Sequence, residues 1–348
     1  MSDDAPPSEP EFVVITASNP SQAAMYRQLV QARVDAGLYP ARVAFRFYSD
    51  PPGGRVGSGG GTLLALFALL RDEDGGSTAP LAQRAASFFA AHRVLLLHAG
   101  GESRRLPCYV PEGKLFAPLA LPSSSSLAPV VLDALLTVYF GYPWRRGEVI
   151  LASGDVIVDF DPKALVRNGP FERGDLCGFG KATGVKQGAR HGVFGFEPGA
   201  AAAAGGALAV ADFFQKAPEA TLRAAALLPA LDGSGDEELV AVDTGLFSMS
   251  GAFVGALFAW ADATDAGGGG ASVLAATESA ELYFDYYLEV ATAALPAQSE
   301  AAYVARMAAA GSKLNPPLLS ALHASLSTFG MRVALLHPAR FLHFGSLL

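Results

Sequence analysis

The chain has 348 residues, of which 51% are hydrophobic and 17% charged. This apolar content excludes disorder over the whole length, and the length can bury the core of one large α/β domain or two smaller ones. The 25 basic residues against 33 acidic ones give a formal net charge of −8. That charge argues against a nucleic-acid partner, because phosphate binding requires a basic face.

Three further features narrow the class of protein. The longest apolar runs, such as 62–70 and 251–261, are shorter than the roughly 18–20 residues that span a bilayer, so we expect no membrane partner. The amino terminus is acidic and proline-rich, unlike a secretory leader. Two cysteines, Cys108 and Cys177, cannot build a disulfide framework. We therefore expect a cytoplasmic protein.

The hydrophobic pattern predicts a single domain over residues 12–348, preceded by a disordered tail at 1–11. Short β-branched and apolar runs predict strands over 12–16, 43–48, 94–98, 149–152, 176–181, 193–196, 240–242 and 332–336. Helical spacing predicts helices over 20–37, 63–71, 80–91, 130–139, 211–216, 253–263, 280–292 and 301–310. Strands that alternate with helices indicate an α/β fold with a mostly parallel sheet and helices on both of its faces.

A first glycine-rich stretch is predicted to be a loop between a strand and a helix. It reads Gly57-Ser-Gly-Gly-Gly-Thr62. Glycine permits tight turns and close approach to a ligand, and a helix amino terminus offers N–H groups to an anion. The stretch is neither a Walker A loop nor a convincing dinucleotide-binding turn. A nucleotide-binding role for Gly57, Gly59, Gly60, Gly61 and Thr62 therefore stands beside a purely structural one.

A second glycine turn carries a more specific pattern. A predicted strand ends in His98-Ala-Gly-Gly-Glu-Ser-Arg-Arg, and Lys114 follows beside a Pro-Glu-Gly turn. Arginine offers a planar fork for phosphate oxygens, and lysine adds a compact positive charge. The pattern favours a triphosphate site with Gly100, Gly101, Arg105 and Lys114, and a basic surface loop is the alternative.

The stretch HAGGESRRLP and the downstream GKLFAPL resemble the signature of sugar-nucleotide pyrophosphorylases, and most of all that of fucose-1-phosphate guanylyltransferases. Further stretches resemble that family in the same order, at 12–16, 50–63, 152–155, 190–194, 213–216, 242–246, 282–285 and 341–345. The resemblance covers nearly the whole chain. It implies a Rossmann-like nucleotidyltransferase domain that lacks the carboxyl-terminal β-helix of related enzymes.

The resemblance also implies residue roles in nucleotidyl transfer. Arg105 and Lys114 are expected to hold the triphosphate, while the Gly57–Thr62 and Gly100–Gly101 backbones line the nucleotide. Asp155, which directly follows a predicted strand, is the expected Mg²⁺ ligand. The alternative for Asp155 is a structural turn residue.

The resemblance also implies which residues bind the sugar 1-phosphate. Lys216 is expected to meet its phosphate, although Ala217 interrupts the family's Lys-Pro pair. The alternative for Lys216 is an exposed lysine at a helix carboxyl end. His191, Gly192, Asp243 and Asp285 are expected to line the sugar pocket, with ordinary helix amphipathicity as the alternative for Asp285.

His343 stands where related enzymes carry a second aspartate ligand for magnesium. Mg²⁺ prefers oxygen ligands, so the metal is expected to rest chiefly on Asp155, phosphates and water, with His343 as a hydrogen-bond donor.

The expected reaction is GTP plus fucose 1-phosphate giving GDP-fucose and pyrophosphate. Two alternatives stay open: another sugar 1-phosphate or nucleotide, and a catalytically weak protein that binds nucleotide sugars. We also expect the apolar carboxyl end, with Phe344, Leu347 and Leu348, to form a homodimer contact or to promote aggregation.

Overall fold

The computed structural model describes residues 9–52, 54–99, 113–120, 122, 125–162, 165, 175–197, 207–228, 237–263, 270–295, 298–336 and 338–343, and of His343 it describes the backbone alone.

The strands of these residues are numbered in chain order: β1 (Phe12–Ala17), β2 (Ala44–Ser49), β3 (Val94–His98), β4 (Glu148–Ser153), β5 (Val156–Phe160), β6 (Leu176–Gly184), β7 (Gly192–Gly195), β8 (Ala207–Ala209), β9 (Asp212–Gln215), β10 (Leu239–Ser250), β11 (Arg332–Leu336) and β12 (Ala339–His343). The helices are α1 (Pro20–Asp35), α2 (Gly57–Glu73), α3 (Leu81–Ala91), α4 (Val131–Phe140), α5 (Val185–Gly188), α6 (Glu219–Ala225), α7 (Gly251–Asp262), α8 (Val273–Glu278), α9 (Ala291–Ala293), α10 (Glu300–Ala309) and α11 (Pro316–Leu326). A 3₁₀ turn spans Lys114–Phe116, and a π-helical turn spans Tyr286–Val290.

The central sheet has the order β2-β1-β3-β4-β10-β6-β11-β8, and β7 and β9 extend it beside β10. Strands β2, β1, β3 and β4 are mutually parallel. Strand β10 runs antiparallel to both β4 and β6, and β11 runs parallel to β6. Six of the eight strands on this path (β2, β1, β3, β4, β6 and β11) therefore point the same way, which confirms the prediction of a mostly parallel sheet.

Alternating residues of the central strands supply two cores on opposite faces of the sheet. Val13 and Ile15 of β1 pack with α1 and α4. Phe12 and Val14 pack on the other face with α2, α3 and α7. Helices thus cover both faces, as predicted. Within the described ranges, no helix combines the length and the apolar character needed to cross a membrane.

A second, two-stranded sheet lies beside the central one. Strand β12 pairs antiparallel with β5, and His343 stands opposite Val156. Only Gly154 and Asp155 separate β4 of the central sheet from β5 of the small sheet. The expected magnesium ligand is therefore the last residue before the small sheet begins.

Two predicted helices are wrong. Residues 211–216 contain strand β9, which pairs antiparallel with β7. An apolar run this short suits either structure, and the partner strand decides between them. Residues 280–292 are helical only from Tyr286 onward, starting as a π-helical turn and ending in α9.

Three predicted boundaries also differ from the structure: at residues 57–62, at the amino-terminal segment and at strand β10. Residues 57–62, predicted as a loop, form the first turns of α2. Glu11, which we expected in the disordered tail, donates its N–H to the Arg93 carbonyl at 2.9 Å and also pairs with the Arg93 guanidinium. Strand β10 extends far beyond the predicted residues 240–242.

Candidate active site

The candidate site lies at the carboxyl ends of the parallel strands. Strand β1 connects to β2 on one side, whereas β3 connects to β4 on the other, so the sheet changes direction between β1 and β3. Ligands of open α/β sheets bind in the crevice outside the strand ends at such a point. His98 and Ser153 pair at the ends of β3 and β4, and Gly154 donates its N–H to the His98 carbonyl at 2.8 Å.

Lys114 and Asp155 meet directly at this edge. Lys114 Nζ lies 2.7 Å from Asp155 Oδ2, and the Ser153 hydroxyl donates to Asp155 Oδ1 at 2.6 Å. Leu115 and Phe116 anchor the 3₁₀ turn in the core and so fix Lys114. The Lys114 side chain is 21% exposed and that of Asp155 27%, so both reach solvent. The expected phosphate lysine and metal carboxylate therefore form one ion pair.

The glycines at the start of α2 have two different environments. A Cβ on Gly57 would overlap the Phe284 backbone, and one on Gly59 would overlap the Phe284 ring. A Cβ on Gly60 would lie 2.7 Å from Val56 Cβ. By contrast, a Cβ on Gly61 would have as nearest atoms His98 Cε1 at 3.8 Å and Asp50 Oδ1 at 3.9 Å. Three glycines are thus explained by packing, and Gly61 faces the edge of the site.

Thr62 links this helix to β3. Its hydroxyl lies 2.8 Å from the Ser58 carbonyl and 2.9 Å from His98 Nε2. Burial lowers the pKa of His98 to about 4, so the imidazole is neutral near pH 7. Because Thr62 has one hydroxyl proton to give to Ser58, it accepts the second bond from Nε2–H of His98.

Asp285 is engaged by the backbone of the π-helical turn. Its Oδ1 accepts from the N–H groups of Tyr287 at 2.9 Å and Leu288 at 3.0 Å. Its Oδ2 accepts from the Ser58 hydroxyl at 2.7 Å. The carboxylate therefore caps the turn and fastens it to α2. A contact between Asp285 and sugar remains a prediction.

Asp243 lies beside an irregularity in β10. The register of β10 against β6 shifts between Asp243 and Phe247, and Gly245 has a φ of +73°. Asp243 Oδ1 accepts from the Gly245 N–H at 2.8 Å, and the Tyr287 hydroxyl lies 3.3 Å from the Gly245 carbonyl. Bulges of this kind re-aim side chains near active sites. Burial raises the pKa of Asp243 to about 7, the Gly245 amide opposes the rise, and the charge of Asp285 adds to it.

The other expected sugar-site residues lie next to Asp243. A Cβ on Gly192 would lie 3.3 Å from Asp243 Cβ. Lys216 donates its N–H to the His191 carbonyl at 3.0 Å and has a φ of +48°. Since Lys216 follows strand β9, the alternative of a lysine at a helix end is wrong. The structure thus brings His191, Gly192, Lys216 and Asp243 together.

The small sheet reaches this cluster. The Phe341 ring stands edge-on to the His191 ring with 6.0 Å between centroids. The backbone of His343 pairs with Val156, the residue after Asp155. The expected nucleotide residues Gly100, Gly101 and Arg105 lie outside the described residues.

The chemistry of the donor set at Asp155 fits Mg²⁺ in part. The ion takes one or two carboxylates and fills its remaining positions with phosphate and water oxygens. Asp155 offers one carboxylate, and its Oδ2 is paired with Lys114. In the described part of the chain, no group of three or more metal-ligating side chains comes together. A magnesium ion here would therefore need oxygens from its substrates and from water to complete its coordination.

Sequence reasoning missed the supporting residues of the site. Ser153 could have been found, since it precedes Asp155 at a strand end. Ser58 and Tyr287 gave no signal, because their contacts join distant segments. Ser58 and Asp285 are separated by 227 in residue number, and Tyr287 and Gly245 by 42.

The mostly parallel α/β fold agrees with the nucleotidyltransferase class that the sequence resembles. The profile of the family described as fucose pyrophosphorylase domain matches residues 86–347. The chain therefore belongs to the fucose pyrophosphorylase family.

Two curated relatives are similar to parts of the chain. A bifunctional fucokinase/GDP-fucose pyrophosphorylase from Arabidopsis thaliana is 32% identical over 165 residues, covering 43% of this chain and 16% of the relative. A fucose-1-phosphate guanylyltransferase from Homo sapiens is 29% identical over 193 residues, covering 54% and 28%. The matched part thus spans less than a third of each relative. Among solved structures, HddC from Yersinia pseudotuberculosis has 9% identity and a TM-score of 0.35 over 97% of this chain and 95% of its own, and we base no conclusion on it.

Proposed function

We propose that the chain transfers a guanylyl group from GTP to fucose 1-phosphate and releases pyrophosphate. The family match and the names of the two relatives support this reaction. The observation that supports it best is that the Lys114–Asp155 pair and Asp243 lie close together at one edge of the sheet. The Lys114–Asp155 pair lies at the ends of β3 and β4, and Gly245 connects it to Asp243, because a Cβ on Gly245 would lie 3.7 Å from Ser153 Cβ.

The reaction needs alignment and charge neutralisation rather than a general base. The phosphate of fucose 1-phosphate is already an anionic nucleophile, so the site must hold it in line with the α-phosphorus of GTP. Lys216, exposed beside His191, is suited to hold the incoming phosphate. Lys114 is suited to bind the triphosphate, where its charge offsets the charge that accumulates during transfer.

Asp155 is the residue that would hold Mg²⁺, which when bound neutralises phosphate charge. Binding of GTP gives Lys114 a new anionic partner. We propose that Lys114 then moves from Asp155 Oδ2 to the phosphates, so that the metal takes its place beside that oxygen. Ser153 keeps Asp155 oriented through its bond to Oδ1.

The partners in this proposal are the two small molecules, GTP and fucose 1-phosphate. We propose a cytoplasmic location because two cysteines in 348 residues fit a reducing compartment. We also propose a homodimer through the carboxyl end. Phe344, Leu347 and Leu348 lie outside the described residues, and the proposal is supported by Leu342, 53% exposed on β12.

A pyrophosphate-release assay tests the reaction. Purified protein with magnesium is incubated with each pairing of four nucleoside triphosphates and a panel of sugar 1-phosphates. We expect GTP with fucose 1-phosphate to be turned over fastest. Fastest release with another pair would replace the substrates, and tight GDP-fucose binding without release from any pair would favour a binding protein.

A further inference from the structure

Asp50 follows β2 at the same edge of the sheet as the proposed nucleotide site. Its backbone N–H donates to the Ala17 carbonyl at 3.0 Å, which ties it to the end of β1. Its Oδ1 lies 3.9 Å from where a Cβ on Gly61 would stand. At that position Gly61, unlike Gly57, Gly59 and Gly60, meets only ordinary van der Waals neighbours, and one of them is the Asp50 carboxylate.

The Asp50 carboxylate differs from the other acids of this edge. Asp155 accepts from Lys114 and Ser153, and Asp285 accepts from three donors. The Asp50 side chain accepts no hydrogen bond from any described residue, although it is partly buried. Burial raises the pKa of Asp50 to about 6, against the nearby charge of Arg55, which lowers it. A partly desolvated carboxylate that finds no donor among the described residues favours a ligand that brings its own N–H groups.

The distance to the phosphate-binding residues suits a nucleotide. Strands β2, β1, β3 and β4 are consecutive neighbours, so the ends of β2 and β4 are three strand spacings apart, or about 14 Å. A nucleoside triphosphate extends over a comparable length from its base to its phosphates. A triphosphate held at Lys114 and Asp155 would place its base near Gly61 and Asp50, across the switch point of the sheet.

We propose that Asp50 selects guanine, by accepting hydrogen bonds from the N1–H and the 2-amino group of the base. This inference rests on the proposed function, since it places GTP at the same edge. The two neighbouring donors of guanine match the two oxygens of a carboxylate. Adenine presents a bare N1 acceptor, which a carboxylate repels. Hypoxanthine keeps N1–H but lacks the 2-amino group, so it loses one of the two bonds.

Calorimetric binding of GTP and ITP to the full chain tests the assignment. A hydrogen bond to a charged group is worth roughly a factor of 10 to 100 in affinity. We expect the wild-type protein to bind GTP that much more tightly than ITP. Asp50→Asn should reduce this preference to about 2-fold or less, because an amide offers one acceptor and one donor. Asp35→Asn, at an exposed site at the end of α1, is the matched control and should keep the wild-type ratio.

The outcomes separate this inference from the proposed reaction. A wild-type protein that binds GTP and ITP equally, or a folded Asp50→Asn protein that keeps the preference, would overturn the role of Asp50 whatever the turnover. The wild-type comparison stands even where the variant fails to fold. A GTP preference that Asp50→Asn abolishes, in a protein that releases no pyrophosphate, would confirm Asp50 and refute the reaction.

Discussion

Lys114 and Asp155 form an ion pair, and in the proposed function Lys114 exchanges this partner for the phosphates of GTP. This makes Asp155→Asn an informative change, because the amide keeps the shape and loses the charge that attracts a cation. We expect magnesium-dependent pyrophosphate release to fall by at least about 100-fold. Asp159→Asn, in which an exposed carboxylate of β5 is changed, should stay near wild type. Wild-type rates for Asp155→Asn at ordinary magnesium concentrations would place the metal ligand elsewhere.

Lys114→Met separates a phosphate-binding role from a structural one. The partly exposed ion pair contributes no more than about 1 kcal/mol to stability, whereas loss of one charge at a transferring phosphate costs about 100-fold in rate. We also expect divalent cations to bind the variant more tightly in the absence of nucleotide, since Asp155 Oδ2 loses its resident cation. Manganese binding, melting temperature and turnover per folded molecule are the measurements. Early melting with intact turnover would make Lys114 structural.

The raised pKa of Asp243 predicts that the stability of the fold depends on pH. Its pKa is raised from 3.8 to about 7 by burial, so the folded state holds a proton that the unfolded state releases between these values. Stability contributed by this group is therefore present below pH 4 and is lost as the pH rises to 7. Asp243→Asn keeps an oxygen for the Gly245 N–H and cannot ionise.

Unfolding by urea at pH 5 and pH 8 checks this sign. Relative to wild type, Asp243→Asn should gain stability between pH 5 and pH 8, and it should be the more stable protein at pH 8. A variant that loses stability relative to wild type over the same interval would show that the ionised carboxylate is favoured in the fold.

At the scale of elements, the glycines of α2 differ in how closely they pack against Phe284. Gly59→Ala would push a methyl group into the buried Phe284 ring, and we expect a loss of about 1–3 kcal/mol of stability. Gly61→Ala is the matched control in the same helix. It meets only ordinary contacts and should gain up to about 1 kcal/mol from helix propensity. Urea unfolding measures the stability of both variants, and equal stabilities would contradict the packing explanation.

Elements with a strong local pattern could be predicted from the sequence. Helix α1 begins at Pro20 and is capped by Asn19, whose side chain accepts from the Gln22 N–H. Strand β1 is buried at every position, as a central parallel strand should be. Both signals lie within a few residues of the element that they define.

Elements decided by distant partners could not be predicted. Residues 212–215 are a strand because β7 pairs with them. The π-helical turn at Tyr286 depends on Asp285 and on Ser58, which is 227 positions away. The same difference applies to the site. The position of Asp155 at a strand end could be predicted, whereas its contact with Lys114 could not, because it joins segments 41 residues apart.

At the scale of the whole molecule, the small sheet presents an apolar side chain to solvent. Leu342 is 53% exposed on β12, and among the described residues it is the most exposed of the large hydrophobic side chains. Exposed apolar groups on an edge strand favour pairing with another chain. We expect light scattering to show a dimer that Leu342→Ser weakens. Leu38→Ser, which changes a 37% exposed leucine elsewhere, should leave the dimer intact. A monomeric wild-type protein at high concentration would exclude this contact.

The two-residue connection between β4 and β5 has a mechanical consequence. Gly154 has no room for a side chain, since a Cβ there would lie 2.8 Å from the His98 carbonyl oxygen. Asp155 therefore joins a fixed point of the central sheet to the first residue of the small one. The Asp155 backbone is therefore held from both sides, by β4 of the central sheet and by β5 of the small one. An insertion into this link would loosen the position of the Asp155 carboxylate and of the β5–β12 ribbon together.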